Sequence, residues 1–195
     1  MIIGSIIHEY TLDDHVNINK SVVDYLYDLK KLDSKTDKIS NIGGWQKNHL
    51  EQVPELATLS SAIFRQFEKF LVEELGPYVE LSVFLSNLFC NINPPGSYHL
   101  GHIHDGHFTG VYYLNTPENC GNLVIQNPQQ DPVSAEMSRY FQNINLDTNI
   151  VPVSGTGYFF PSHLVHSVDE NVSNEDRISL SYNIRVFPKN DMQNS

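Results

Sequence analysis

The ten residues from Arg177 to Val186 constrain this chain more than any other segment. Arg177, Ser179, Ser181, Asn183 and Arg185 alternate with Ile178, Leu180, Tyr182, Ile184 and Val186. Successive side chains on a strand point to opposite faces, so the segment predicts a strand with one polar and one apolar face. The apolar face needs a cover. Serines and arginines turned toward an interior need a ligand, water or one another, because a polar group buried alone is costly. The pattern therefore predicts a sandwich or barrel with a polar cavity.

The cover lies upstream. Asp13 and Asp14 offer N-caps to a helix whose Ile18, Val22, Tyr25, Leu26 and Leu29 fall at helical spacing. Pro54 opens a second helix with Leu56, Leu59, Ile63, Phe67, Phe70 and Leu71 on one face, and Gly76-Pro77 ends it. From Val79 onward the period changes to that of strands, with Val79, Leu81, Val83 and Leu85 in alternation. Strand-like pieces recur at 98–104, 108–115, 121–126, 150–153, 157–161, 164–168 and 177–187, and residues 2–8 read as a further short strand. No helical pattern interrupts 150–187, which argues against a parallel βαβ sheet. The expected fold is mainly β: one domain over 1–195, with helical N-terminal support at 1–77 and a jelly-roll core at 78–188.

Composition narrows the partners. The 195 residues suit one domain, and 40% hydrophobic content folds without staples. Twelve Lys+Arg against 23 Asp+Glu give a formal charge of −11, which argues against a nucleic-acid partner. Lys30, Lys31, Lys35 and Lys38 read as a solvated helix end. Cys90 and Cys120 are too few for a disulfide framework, so a reducing cytoplasm is expected. The N-terminus lacks a basic n-region, and no stretch approaches the ~18 apolar residues of a membrane span.

Four of the nine histidines fall between His99 and His107. His102 and His104 share a strand face about 7 Å apart at Cα, close enough to converge on one ion. His99 is offset from both by an odd number and faces away in regular geometry, while His107 follows Asp105-Gly106 in a turn. A third ligand must come from another strand: His166 in the run Phe159-Phe160-Pro161-Ser162-His163-Leu164-Val165-His166, with His163 as competitor. The common non-heme iron site uses two histidines and a carboxylate. Here the carboxylate position holds His104, and the acid comes one residue later. Either three histidines bind, or a bulge turns Asp105 inward; strand parity favours His104. Arg177 and Ser179 can hold a carboxylate, the guanidinium by a forked pair of hydrogen bonds. Parity lets only one of Tyr112 and Tyr113 face the pocket, and Tyr113 would add a phenol. A dicarboxylic 2-oxo acid, chelating iron at one end and paired with Arg177 at the other, fits this inventory.

At these residues the chain resembles the Fe(II)- and 2-oxoglutarate-dependent dioxygenases, in particular their prolyl-hydroxylase-like branch. Tyr112-Tyr113-Leu114-Asn115, then Gly121-Asn122, then His166 followed by Arg177 match that branch in order. There the second tyrosine and the arginine bind 2-oxoglutarate, which implies Tyr113 and Arg177. The chain also resembles a group of small 2-oxoglutarate oxygenases found in marine bacteria and their phages. The shared features are Gly43-Gly44-Trp45, Gly96-Ser97-Tyr98, His102-Ile103-His104, Gly110-Val111-Tyr112-Tyr113, Phe160-Pro161-Ser162 and Arg177-Ile178-Ser179, spanning about 41 to 187. In that group proline usually follows the second histidine, whereas Asp105 stands here, so the resemblance favours His104 as ligand. It implies a double-stranded β-helix, an Fe(II) cofactor, 2-oxoglutarate as cosubstrate and a hydroxylase-type reaction. The substrate, a small molecule or a peptide residue, stays open. The other readings are a three-histidine dioxygenase without a 2-oxo acid and a non-catalytic jelly roll with a vestigial metal site. Residues 127–149 have few strand signals and read equally as a lid or as a surface excursion with a short helix at 135–141.

Overall fold

The computed structural model describes residues 7–37, 40–76, 80–128 and 147–189. The long strand β11 (Arg177–Pro188) lies between β4 (Leu81–Asn93) and β6 (Phe108–Asn115). Beyond β6 come β9 (Thr156–Pro161) and β1 (His8–Thr11); beyond β4 comes β3 (Trp45–Lys47), giving a six-stranded antiparallel sheet. The facing five-stranded sheet runs β2 (Asn41–Ile42), β5 (Tyr98–His102), β10 (His166–Val168), β7 (Leu123–Ile125) and β8 (Thr148–Ile150). Together they form a double-stranded β-helix braced by α1 (His15–Leu32) and α2 (Ala57–Leu75).

The apolar face of β11 is covered as its alternation demands. Leu180, Tyr182 and Ile184 share one cluster with Val22 and Leu26 of α1 and Leu59, Ile63, Phe67 and Phe70 of α2. Each side chain so buried stabilises by roughly 1.5–3 kcal/mol. The aromatic rings of this cluster pack both edge to face, as in Phe67–Phe159 at 5.1 Å and 71°, and stacked, as in Tyr10–Phe159 at 4.7 Å and 20°. Three tyrosine hydroxyls of this core are partnered: Tyr10 Oη meets Tyr182 Oη at 2.9 Å, and Tyr112 Oη donates to Asn19 Oδ1 at 2.8 Å. Asp14 occupies the N-cap of α1 without a side-chain capping bond. A 3-10 turn at Pro54–Leu56 leads into α2, which ends at Gly76 with φ +84.

The remaining differences from expectation have physical causes. The first strand lies at His8–Thr11, and residues 1–6 fall outside the described residues. Asn41–Ile42 and Trp45–Lys47 pair as strands too short to show a period. In β4 the register shifts, with Asn183 opposite Asn87 but Ile184 opposite Leu85, so Ser86 is an extra residue. That bulge moves the apolar positions from odd numbers (Leu81, Val83, Leu85) to even ones (Leu88, Cys90, Ile92), all packed on the helical side. Residues 129–146, which hold most of the expected lid and its short helix, lie outside the described residues. No described helix is long and apolar enough to cross a membrane.

Candidate metal centre

The inner face of the six-stranded sheet is built in cross-strand rows. Arg177 stands opposite Asn93; Ser179 opposite Asn91 and Tyr113; Ser181 opposite Phe89 and Val111; Asn183 opposite Asn87 and Thr109. Gln46 of β3 extends the second row beside Asn91. These residues line a cavity of about 300 Å³, closed from the other sheet by His99, His102, His104 and His166.

His102, His104 and His166 each offer a ring nitrogen, and these atoms lie within 4.8 Å of one another. β5 and β10 bring two of them together by direct pairing, His166 opposite His102. His104 lies beyond the end of β5, held by its backbone N–H donating to the Ser162 carbonyl at 3.0 Å. Its ring stacks on Phe89 at 5.8 Å and on His166 at 5.0 Å. His102 Nδ1 donates to the Leu100 carbonyl at 2.7 Å, and His166 Nδ1 donates to the Leu164 carbonyl at 2.9 Å. A carbonyl can only accept, so in both neutral rings the proton sits on Nδ1 and Nε2 carries the lone pair that a metal would use. In His102 that lone pair accepts from Ser40 Oγ at 3.3 Å, a contact a metal would displace.

Burial keeps the rings neutral. It pushes His104 down to about 3 and His166 down to about 4, with neighbouring imidazoles adding to the effect, and it lowers His102 as well. Neutral imidazole is the form that binds a metal ion. The donor set fits a divalent transition metal.

Arg177 lies at the far end of the same cavity, 2% exposed, with no carboxylate paired to it among the described residues. Nη1 donates to the Cys120 carbonyl at 2.5 Å and to the Asp169 carbonyl at 3.3 Å, while Nη2 is buried without a partner. Burial lowers the guanidinium pKa, yet an arginine keeps its charge. A buried cation with an orphaned donor calls for an anion. Ser179 and Tyr113 stand on the neighbouring row, and neither hydroxyl has a hydrogen-bond partner among the described residues. Gly121, at φ +90, makes this seat possible, since a Cβ there would overlap the Asp169 carbonyl and approach Nη1 to 2.9 Å.

The rest of the expected inventory divides clearly. Asp105 is exposed at the cavity rim, and His163 is exposed on the outer surface; neither joins the histidine group. His107 sits in a bend, its Nδ1 accepting from the Val186 N–H at 2.9 Å. Tyr112 belongs to the core and Tyr113 to the cavity. His99 departs from expectation. Val168 pairs with His99 while His166 pairs with His102, so β5 carries one more residue than β10 between them. This bulge breaks the parity that would turn His99 outward, and the ring lines the cavity. Its Nε2 meets Asn93 Oδ1 at 3.3 Å, and burial, then the Arg177 charge, push its pKa down to about 3.

Sequence reasoning also missed a chain of carboxamides. Asn93 Nδ2 donates to Asn41 Oδ1 at 2.9 Å, and Asn41 Nδ2 donates to Asn91 Oδ1 at 3.3 Å. Gly44 permits it, because a Cβ there would overlap both Asn41 and Asn93. The available signal was the odd-numbered run Asn87, Asn91, Asn93 alternating with Leu88, Cys90 and Ile92.

Residues 87–183 match the sequence model of a family described as "Putative 2OG-Fe(II) oxygenase". No curated protein matches the chain by sequence. Solved structures share the fold at low identity. A Pseudomonas putida prolyl-4-hydroxylase is 15% identical, with TM-score 0.62 and 93% of each chain covered. A prolyl hydroxylase from Trichoplax adhaerens, in complex with a hypoxia inducible factor oxygen degradation domain peptide fragment, is 14% identical. Its TM-score is 0.65 over 97% of this chain and 87% of that one. The viral collagen prolyl hydroxylase of Paramecium Bursaria Chlorella virus-1, as a 2-oxoglutarate complex, is 18% identical, with TM-score 0.58 over 93% and 96%.

Proposed function

We propose, since the chain belongs to the 2OG-Fe(II) oxygenases through residues 87–183, that His102, His104 and His166 hold the iron. Arg177, Tyr113 and Ser179 then hold the distal carboxylate of 2-oxoglutarate. The observation that carries this reading is the orphaned, buried Nη2 of Arg177, a residue that lines the cavity closed by the three imidazoles.

Bound Fe(II) with 2-oxoglutarate would supply reductive activation of O₂, coupled to oxidative decarboxylation of the 2-oxo acid to succinate and CO₂. The chain's own residues bind, orient and exclude. The Leu100 and Leu164 carbonyls hold His102 and His166 in the ligating tautomer. The Cys120 and Asp169 carbonyls fix the Arg177 plane, so its free edge meets a carboxylate without reorganisation. Tyr113 Oη and Ser179 Oγ add donors to the same group, and the phenol stays protonated because burial raises its pKa. Leu123, Phe160 and Val168 line the cavity with apolar surface that keeps bulk water out.

The oxidised substrate is a small molecule or a peptide residue, and hydroxylation is the simplest outcome. The Trichoplax relative, solved with a peptide fragment, supports the peptide option for this fold. The test is succinate formation from 2-oxoglutarate by the Fe(II)-loaded protein in air. Iron-dependent succinate is expected from the parent and not from His166→Ala; equal succinate from both, or none from the parent, contradicts the reading.

A further inference from the structure

We infer that the mouth of this cavity is a subsite for an uncharged substrate that presents amide or ester carbonyls. This rests on the oxygenase reading above and names the substrate class of the same site. Two carboxamides at the outer end share one polarity. Asn87 Oδ1 accepts from the His49 backbone N–H at 3.4 Å, and Asn48 Oδ1 accepts from Gln46 Nε2 at 3.0 Å. In each case Nδ2 has no partner among the described residues, and both residues line the cavity. The Asn87 orientation is the firmest, because a backbone N–H can only donate. Deeper in, Asn91 repeats the arrangement: its Oδ1 is taken by Asn41, and its Nδ2 is free. Asn91 is 2% exposed, so its donor is held in place by the sheet.

Position gives the row its meaning. His104 stacks on Phe89, which stands opposite Ser181. The Asn87–Asn183 row is the next one outward, and the Arg177 row is two inward. Arg177 and Asn183 are six residues apart on one strand, roughly 20 Å. A molecule lying on the outer amides therefore meets the histidine group without displacing an anion at Arg177. Its acceptors face unpaired N–H groups, each of which loses free energy if left unmatched.

Charge decides which acceptor. Among the described lining residues only Arg177 and Asp105 are charged; the first is committed to the cosubstrate, and the second stands at the rim. The mouth thus offers donor dipoles with no net positive charge, on a protein of formal charge −11. Anions are disfavoured there, and neutral carbonyl oxygens are matched. A peptide segment and a small amide-bearing metabolite share that chemistry.

The experiment is saturation-transfer NMR on the full chain loaded with Zn(II) and 2-oxoglutarate. The probes are N-acetyl-alanine N-methylamide, its free acid N-acetyl-alanine, methyl glucoside, and the acetylated, N-methylamidated alanine trimer. The diamide should bind at least about tenfold tighter than the free acid or the glucoside, the scale of one or two matched hydrogen bonds. Asn87→Asp should lose about tenfold in diamide affinity, because the substitution keeps the acceptor used by the His49 N–H and replaces the free donor by an anionic acceptor. Asn48→Asp, also at a half-buried position, repeats the test if the first variant folds poorly. Both variants should keep 2-oxoglutarate affinity, which reports an intact fold and cosubstrate end. A trimer binding more tightly than the diamide identifies a peptide as the source; equal binding identifies a small molecule. Preference for the acid or the glucoside, or unchanged diamide affinity in both variants, overturns the subsite. If 2-oxoglutarate itself fails to bind the parent, the oxygenase reading falls. If 2-oxoglutarate binds and the diamide does not, only this inference falls.

Discussion

Arg177 Nη1 donates to the Cys120 carbonyl while Nη2 of the same guanidinium lies buried and unpartnered at the cavity. Nη1 is spent on holding the side chain still, and Nη2 is left unpaired for the carboxylate proposed above.

The seat of that arginine predicts the effect of Gly121→Ala. At φ +90 alanine is strained, and its Cβ would overlap the Asp169 carbonyl that Nη1 uses. The variant should lose roughly 1–3 kcal/mol of stability and bind 2-oxoglutarate more weakly. Urea unfolding and 2-oxoglutarate titration check both effects. Parent-like values in both would show that the seat does not depend on this glycine.

The proposed iron ligands make a second prediction. His166→Ala should lose iron binding, because two remaining imidazoles rarely hold a labile divalent ion. Asp105→Asn should retain it, since Asp105 is exposed at the rim and outside the histidine group. Metal content after desalting reads both. Retention in His104→Ala together with loss in Asp105→Asn would transfer the role to the acid.

Much of this was legible because β11 is long and regular. Its strict alternation from Arg177 to Val186 announced both the polar cavity and the need for covering helices. The His102–His104 spacing and Arg177-x-Ser179 were readable for the same reason. What stayed hidden lies at irregularities. A bulge in β5 turns His99 inward against its parity, and a bulge at Ser86 reverses the apolar phase of β4, masking Asn87, Asn91 and Asn93 as one polar face. Two strands of two and three residues carry Asn41 and Gln46 into the site, and strands that short have no period to read. Amide orientation is likewise invisible until the partners are placed.

The buried imidazoles set a pH dependence for the metal-free protein. In the unfolded chain they titrate near the ordinary imidazole value of 6.5; in the fold His99 and His104 are pushed down to about 3 and His166 to about 4. Below pH 6.5 the unfolded state therefore binds protons that the native state refuses. This stability is fully present above that value and is lost as pH falls toward 3–4. The slope reaches up to roughly 1.4 kcal/mol per pH unit for each ring. Urea midpoints of the metal-free protein should drop between pH 7.5 and 5.5, and less so in His99→Gln. Midpoints that do not move would mean these rings are protonated or solvated in the fold.

The most direct test of the central assignment is an anaerobic titration of the Fe(II)-loaded protein with 2-oxoglutarate, followed by the charge-transfer absorbance of the chelate. The parent should bind one equivalent. Arg177→Ala should retain its iron but lose roughly 2–5 kcal/mol of binding, about 30-fold to several thousand-fold in affinity, and Arg177→Lys should recover only part of that loss. Arg177→Ala binding 2-oxoglutarate as tightly as the parent would contradict the account.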